Sequence, residues 1–250
     1  MSMLEQELTI CICTYNSEDT LEVCLRSVKR VAPQSRILLV DRLSTDSTVK
    51  IAHSFGADVR FEDQGLGFAR QLCFKLANTK YLAFVDSDVE FARSDFFSTA
   101  EQLLLQKRFG AVIGLAVGHR FAYGLPASLL VLRKADFRGN VIPKDIDGRE
   151  THYIQRRLDA LNLKPYYVYD SIYHHSAQRK FMPEYQGAYT RLLPSPAIKE
   201  ILFSLKAITL RAMNSRSVKN MLYVPIFFAK FLRGFSNPKR WIRTRSARGV

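Results

Sequence analysis

Long apolar runs, paired cysteines and a glycine-rich phosphate loop are all missing from this chain of 250 residues. No apolar stretch reaches the ~18 residues that a membrane-spanning helix needs, so no span is expected. The four cysteines, Cys11, Cys13, Cys24 and Cys73, show neither C-x-x-C spacing nor a paired histidine run. That excludes the usual zinc signatures and reads as buried thiols of a cytosolic protein. The N-terminus carries acids where an export signal would need a basic start and a long apolar run, so no export is expected. With 12 Gly and 9 Pro, collagen-like and low-complexity chains are excluded too. Acidic side chains are scarce in one place: between 191 and 250, Glu200 stands alone against 13 Lys and Arg, while residues 1 to 190 hold 22 acids against 24 bases. The net charge of +14 therefore belongs to the tail. A basic tail implies an anionic partner, nucleic acid or an acidic membrane surface.

What is present is an alternation. Short apolar, β-branched runs, LTICIC from Leu8, RILLV from Arg36, Asp58 to Phe61 and YLAFV from Tyr81, read as strands. Between them lie helical patterns: Leu21, Leu25 and Val28 behind Ser17, then a stretch behind Ser44 to Asp46, then Gly67 to Ala77. Alternating strands and helices predict βαβ units, and near-continuous apolar strands predict a mostly parallel sheet with helices on both faces. Further strands are expected at 111 to 117, 128 to 134 and 166 to 172, with a helix over 149 to 161. In such sheets ligands gather beyond the carboxyl ends of the strands. Those ends read Thr14-Tyr15-Asn16, Asp41, Glu62-Asp63 and Asp86-Ser87-Asp88, so three of the four carry carboxylates. Two acids one residue apart at a strand end suit an oxygen-loving Mg²⁺ or Mn²⁺ that bridges phosphates. Taken alone, Asp86-x-Asp88 is more often the signature of a solvated turn.

The series TICICTYNSEDTLEVCLRSV, ILLVDRLSTDST, the G-x-x-x-A-R of Gly65 to Arg70 and FVDSDVEF stands in order and spacing. It resembles the family 2 glycosyltransferases of the GT-A fold, closely over residues 7 to 92 and more loosely to about residue 180. The resemblance implies a nucleotide-binding sheet, a nucleotide-diphosphate sugar donor and a divalent metal. Thr14 and Tyr15, with Asn16 beside them, take the places that line the nucleotide base, Asp41 that of the acid accepting from the base, and Arg70 that of its basic neighbour. Asp86 and Asp88 take those of the nucleotide and metal ligands. The family's E-D-x-x-L-x-x-R-L acid pair falls on Glu150 and Thr151. Threonine cannot accept a proton at neutral pH, so Glu150 becomes the expected base, with Asp147 or Asp145 in reserve. The family's further metal ligand falls on His174, with His175 as second choice, and its diphosphate-binding bases on Arg179 and Lys180. Two departures touch the base pocket: Arg42 stands where the family has a second Asp, and Leu43 where it has Gly. Gln71 replaces the Asn that usually follows the Arg.

From Pro196 the pattern becomes helical and basic, with Leu, Ile, Phe and Tyr interleaved. Such helices lie in a membrane interface, drawn by anionic lipid; packing against the catalytic domain is the competing reading. No nucleic-acid readout motif accompanies the charge, so nucleic acid is not expected. The expectation is a catalytic domain over 1–192 and a membrane-associating helical segment over 193–250, placed peripherally on the cytoplasmic face. The activity implied is metal-dependent, inverting transfer of a sugar to a lipid-linked or membrane-held acceptor. Two alternatives stand beside it. One is a polyprenyl-phosphate sugar synthase, whose acceptor needs no strong base; the other is a decayed transferase acting as a membrane-bound partner. A sugar nucleotidyltransferase would want a Gly-rich loop where TYNSED stands.

Overall fold

The computed structural model describes residues 6–143, 146–175 and 182–246, with side chains described to residue 242. The chain divides into two compact units, one comprising Met1–Gly118 and Leu125–Ala177, the other His119–Gly124 and Gln178–Val250. The break at 177/178 falls earlier than the expected 192/193, and a short excursion at 119–124 belongs with the C-terminal unit.

The first unit opens with β1 (Leu8–Thr14), α1 (Glu18–Val31), β2 (Arg36–Asp41), α2 (Thr48–Ser54), β3 (Asp58–Phe61), α3 (Leu66–Leu76) and β4 (Tyr81–Val85). It continues with β5 (Val89–Phe91), α4 (Phe96–Leu105), β6 (Phe109–Ala116), β7 (Leu129–Arg133), α5 (Thr151–Ala160) and β8 (Lys164–His174). The eight strands form one sheet in the order β3-β2-β1-β4-β7-β6-β8-β5. Pairings among β1 to β4 and between β6 and β8 are parallel, while β7 and β5 run antiparallel to their neighbours. β1 and β4 are buried almost throughout, because a parallel strand covered on both faces has no solvent side. On α1 the apolar residues Leu21, Leu25 and Val28 are fully buried, as their spacing predicts. Its first turn carries Glu18 and Asp19 and its last Lys29 and Arg30, each sign at the end of the helix dipole that favours it. α1 and α2 cap each other: Asp46 accepts from the amides of Glu18 (3.1 Å) and Thr48 (3.0 Å), and Glu18 accepts from the amide of Ser47 (2.8 Å).

After β1 the chain builds outward to β2 and β3, then returns to lay β4 on the other side of β1. That reversal opens a crevice between the ends of β1 and β4, where a doubly wound sheet binds its ligands. In the first unit, β5 and α4 have no counterpart in the periodicity reading. β5 is a three-residue strand, and it forms because β8 lies alongside to pair with it. α4 buries Phe96, Phe97, Ala100 and Leu104, a stripe behind the expected strand region.

The C-terminal unit contains α6 (Pro183–Arg191), α7 (Ala197–Asn214), α8 (Val218–Leu222), α9 (Val224–Ser236) and α10 (Pro238–Ser246). α6 and α9 meet backbone to backbone. A Cβ added at Gly187 would lie 2.0 Å from the Phe231 carbonyl oxygen, and one at Gly234 would lie 1.9 Å from that of Glu184. Asn214 ties 119–124 into this unit: its Oδ1 accepts from the amides of Arg120 and Phe121 (3.0 Å each) and its Nδ2 donates to the Phe121 carbonyl (2.9 Å). Pro225 sits in the first turn of α9, where its missing N–H costs nothing, so it starts a helix rather than kinking one.

Candidate active site

At the end of β1, Thr14 Oγ1 donates to Asp41 Oδ2 (2.7 Å). Asp41 is fully buried and also accepts from the amide (2.7 Å) and hydroxyl (2.6 Å) of Ser44. Asn16 completes the clasp, its amide donating to Ser44 Oγ (2.8 Å) and its Oδ1 accepting from the amide of Thr45 (3.0 Å). Thr14, Asn16 and Asp41, singled out for the base pocket, thus shape the loop from 41 to 45 in this structure. What that loop presents is Arg42, whose guanidinium carbon stands 6.0 Å from the ring centroid of the partly exposed Tyr15. Leu43 takes φ 52°, a left-handed conformation suited to the glycine that the family pattern places there.

The end of β4 carries the acids. Asp86 pairs with Arg70 Nη2 at 3.2 Å, and the other arm of the same guanidinium, Nη1, pairs with Glu150 Oε1. Arg70 and Glu150 are both buried. Burial alone would loosen the proton of Arg70, but Glu150 and Asp86 outweigh it and the guanidinium is held charged more firmly than usual. Arg70 also lies 5.6 Å from the centroid of Phe84. Asp88 meets His174, Oδ1 to Nδ1, at 3.6 Å, and its carbonyl accepts from the amide of His175 (2.8 Å). The cause is register: β5 pairs antiparallel with β8, Val89 opposite His174, so the end of β8 is delivered beside the acids that follow β4. His175 is turned elsewhere, its Nε2 2.7 Å from Glu90 Oε2.

A connecting strap, described over residues 139–143 and 146–150, lies along α3 and brings Glu150 to Arg70. Gln71 Oε1 accepts from the amides of Val141 and Ile142 (2.9 Å each), and Asp147 Oδ1 accepts from the amide of Leu66 (2.7 Å). This occupies Asp147 at the start of α3. Sequence reasoning noted Gln71 as a replacement and missed its work as the strap's anchor; its place one residue after Arg70, on a helix edge, was the available signal. Glu62 was noted as an acid at a strand end and given no role. It is buried, accepts from the amides of Gln64 (2.6 Å) and Gly65 (2.7 Å), and burial pushes its carboxyl above the usual glutamate range. Asp145, Arg179 and Lys180 lie outside the described residues.

Among the described residues no three His, Cys, Asp or Glu side chains gather as a ready-made cation site. The Asp88–His174 pair nonetheless fits a divalent cation of the phosphate-bridging kind. Such ions are held by one or two protein groups, with substrate phosphates and water completing the shell.

An open α/β sheet with a switch-point crevice, acids at the end of β4 and a histidine brought to them by the last strand defines the GT-A class of fold. Residues 9–128 match the model of glycosyl transferase family 2. A curated relative, 4,4'-diaponeurosporenoate glycosyltransferase of Staphylococcus aureus (strain USA300), is 28% identical over 195 residues, covering 73% of this chain and 51% of the relative. The chain thus spans about half the length of the curated relatives it matches. Among solved structures, a mannosyltransferase from Pyrobaculum calidifontis in complex with GDP-Man and Mn²⁺ aligns with a TM-score of 0.68 at 13% identity, covering 93% of this chain and 86% of that one. Glucosyl-3-phosphoglycerate synthase from Mycobacterium tuberculosis, in complex with Mn²⁺, UDP and glucosyl-3-phosphoglycerate, aligns with a TM-score of 0.59 at 17% identity, covering 80% and 79%.

Proposed function

We propose that this chain is an inverting, metal-dependent glycosyltransferase, moving a sugar from a nucleotide-diphosphate sugar to a lipid-linked or membrane-held acceptor. The observation that carries the reading is the set of charged groups at the crevice: Asp86 and Glu150 on the two arms of Arg70, beside the Asp88–His174 pair. Tyr15 offers an aromatic face for the nucleotide base, with Arg42 over it. Asp88 and His174, with Asp86 adjoining, would hold Mg²⁺ or Mn²⁺, which when bound supplies positive charge for the departing diphosphate. Two neighbours of the same fold were solved with such metals and nucleotide ligands, which supports the donor and metal classes. The curated relative's named substrate supports a lipid-type acceptor. Arg179 and Lys180 are proposed as further partners of the diphosphate.

The acceptor oxygen attacks the anomeric carbon opposite the leaving diphosphate, and Glu150 takes the acceptor proton. Asp88→Ala is expected to abolish sugar transfer while leaving the melting temperature near that of the parent. Product release from radiolabelled donor, with and without Mn²⁺, checks it, and full turnover in the variant would sink the metal role.

One observation favours a second reading. Glu150 is buried and its Oε1 is already engaged by Arg70 instead of standing open to an acceptor hydroxyl. A phosphate acceptor, as in a polyprenyl-phosphate sugar synthase, arrives deprotonated and needs no such base. Glu150→Gln keeps the shape and an acceptor for Arg70, so it discriminates. A general base predicts a loss of about 10²–10⁴-fold in kcat, whereas a loss of a few-fold assigns the phosphate acceptor. Among the described residues no helix is long and apolar enough to cross a membrane, and peripheral attachment on the cytoplasmic face is part of this reading.

A further inference from the structure

We propose that the outer face of α7, continued by α8, is a docking surface for an anionic lipid bilayer. α7 is built inside out for a helix facing water. Its buried line is Glu200, Ser204, Ile208 and Ala212, at four-residue spacing, while Ile198 (65% exposed), Leu202 (59%) and Met213 stand open along one other face. A helix presenting one side to solvent does the reverse, placing acids outward and leucines inward. The open apolar surface continues beyond the turn, with Val218 at 76% and Leu222 at 73% exposure, then Met221, Tyr223 and Ile226.

Charge decides what covers this face. Lys199 and Lys206 flank the stripe on α7 and Lys219 stands on α8. Glu200, the one acid between 191 and 250, is buried and accepts from Ser195 Oγ (3.0 Å), so no carboxylate of that segment faces outward. Apolar residues bordered by lysines, with no acid between them, match the acyl boundary and phosphate layer of an anionic leaflet. The lysine stems lie along the apolar face and their ammonium groups reach the headgroups. Nucleic acid would use the charge and leave the leucines in water. A face that lies on the bilayer also accords with α7's lacking the apolar content to span one. The proposal deepens the peripheral attachment of that reading and rests on it for the bilayer, while needing no sugar transfer.

The test is co-sedimentation of the full chain, without donor or metal, with phosphatidylcholine vesicles and with vesicles in which about one third of the lipid is phosphatidylglycerol. Binding to the anionic vesicles is expected, and little to the neutral ones. The double variant Leu202→Ser/Leu222→Ser alters exposed side chains and is expected to fold, checked by circular dichroism and melting. Its vesicle affinity should fall by at least about tenfold, and Lys206→Gln/Lys219→Gln should fall too. Failure of the parent chain to bind overturns the proposal. Equal binding by the serine variant overturns it as well, since charge elsewhere would then carry the attraction. A parent that elutes as a dimer, ignores vesicles and becomes monomeric in the serine variant would assign the face to a second copy instead. Because no sugar transfer is read, failure of the transferase reading would leave these outcomes unchanged.

Discussion

Replacing Arg70 by methionine is expected to cost about 3–5 kcal/mol of stability and to abolish sugar transfer. The guanidinium is nearly inaccessible, and each of its arms holds a different carboxylate: Asp86 from the end of β4, Glu150 from the end of the strap. Methionine fills similar volume, so the packing against Phe84 is largely kept and the loss reports the electrostatics. The buried Glu150 is left without its cation, which is the costly half of the change; Asp86 is partly open and water compensates it. Urea denaturation measures the first effect and turnover the second. Arg70→Lys retains the charge but presents one nitrogen instead of a fork, so it should fall between parent and methionine in both assays. A methionine variant with the parent's urea midpoint would show that the two ion pairs do not hold the strap.

Gly67→Ala should be destabilising by about 2 kcal/mol or more, although helix propensity alone argues the opposite sign. In a helix interior alanine gains roughly 1 kcal/mol over glycine, and less at the second residue of α3, where Gly67 stands. Against that, a Cβ at position 67 would stand 1.6 Å from the carbonyl oxygen of Ile146 and 2.8 Å from its carbon. Backbone atoms cannot rotate aside as a side chain can, so the strap itself must move, and overpacking of this kind typically costs 1–3 kcal/mol or more. Moving the strap at Ile146 displaces Asp147 and then Glu150. A shift of about 1 Å in a reacting group costs on the order of 10²-fold in rate. Thermal unfolding and kcat together check this. An alanine variant as stable and as active as the parent would mean that strap and helix do not touch here.

The βαβ framework of the first unit was legible because its strands announce themselves. LTICIC, RILLV and YLAFV are short, apolar and β-branched, and each stops at a polar residue that turns out to stand at the crevice. Asp86 and Asp88 were legible for the same reason, being fixed by where β4 ends. β5 was not, since three residues carry no period and exist as a strand through their pairing with β8. That pairing also places His174, so the histidine could be nominated from the family pattern while its partner, Asp88, needed the sheet register. Glu150 was nominated as a base with no hint of the ion pair that now occupies it, because α3 and the strap meet over some eighty residues of separation. Asp41 reads as a ligand-facing acid in the motif, yet its burial under Thr14 and Ser44 is a property of two loops folding together. On the tail, periodicity revealed that the helices are amphipathic; which side each turns outward required the packing, and α7 turns the unexpected one.

Asn214 makes the chain's order of assembly a practical matter. Its side-chain amide closes three bonds onto the backbone of Arg120 and Phe121, residues inserted between β6 and β7 of the first unit. The C-terminal helices are consequently no detachable cassette. A stop codon after residue 177 would delete them and strand a hexapeptide from the middle of the gene product without the amide that pairs with its main chain, and grafting the helices onto another carrier would leave that hexapeptide behind. Any dissection of this protein into separately expressed pieces has to carry 119–124 along, by permutation or by a linker that restores it, before the behaviour of either piece can be attributed to the helices themselves.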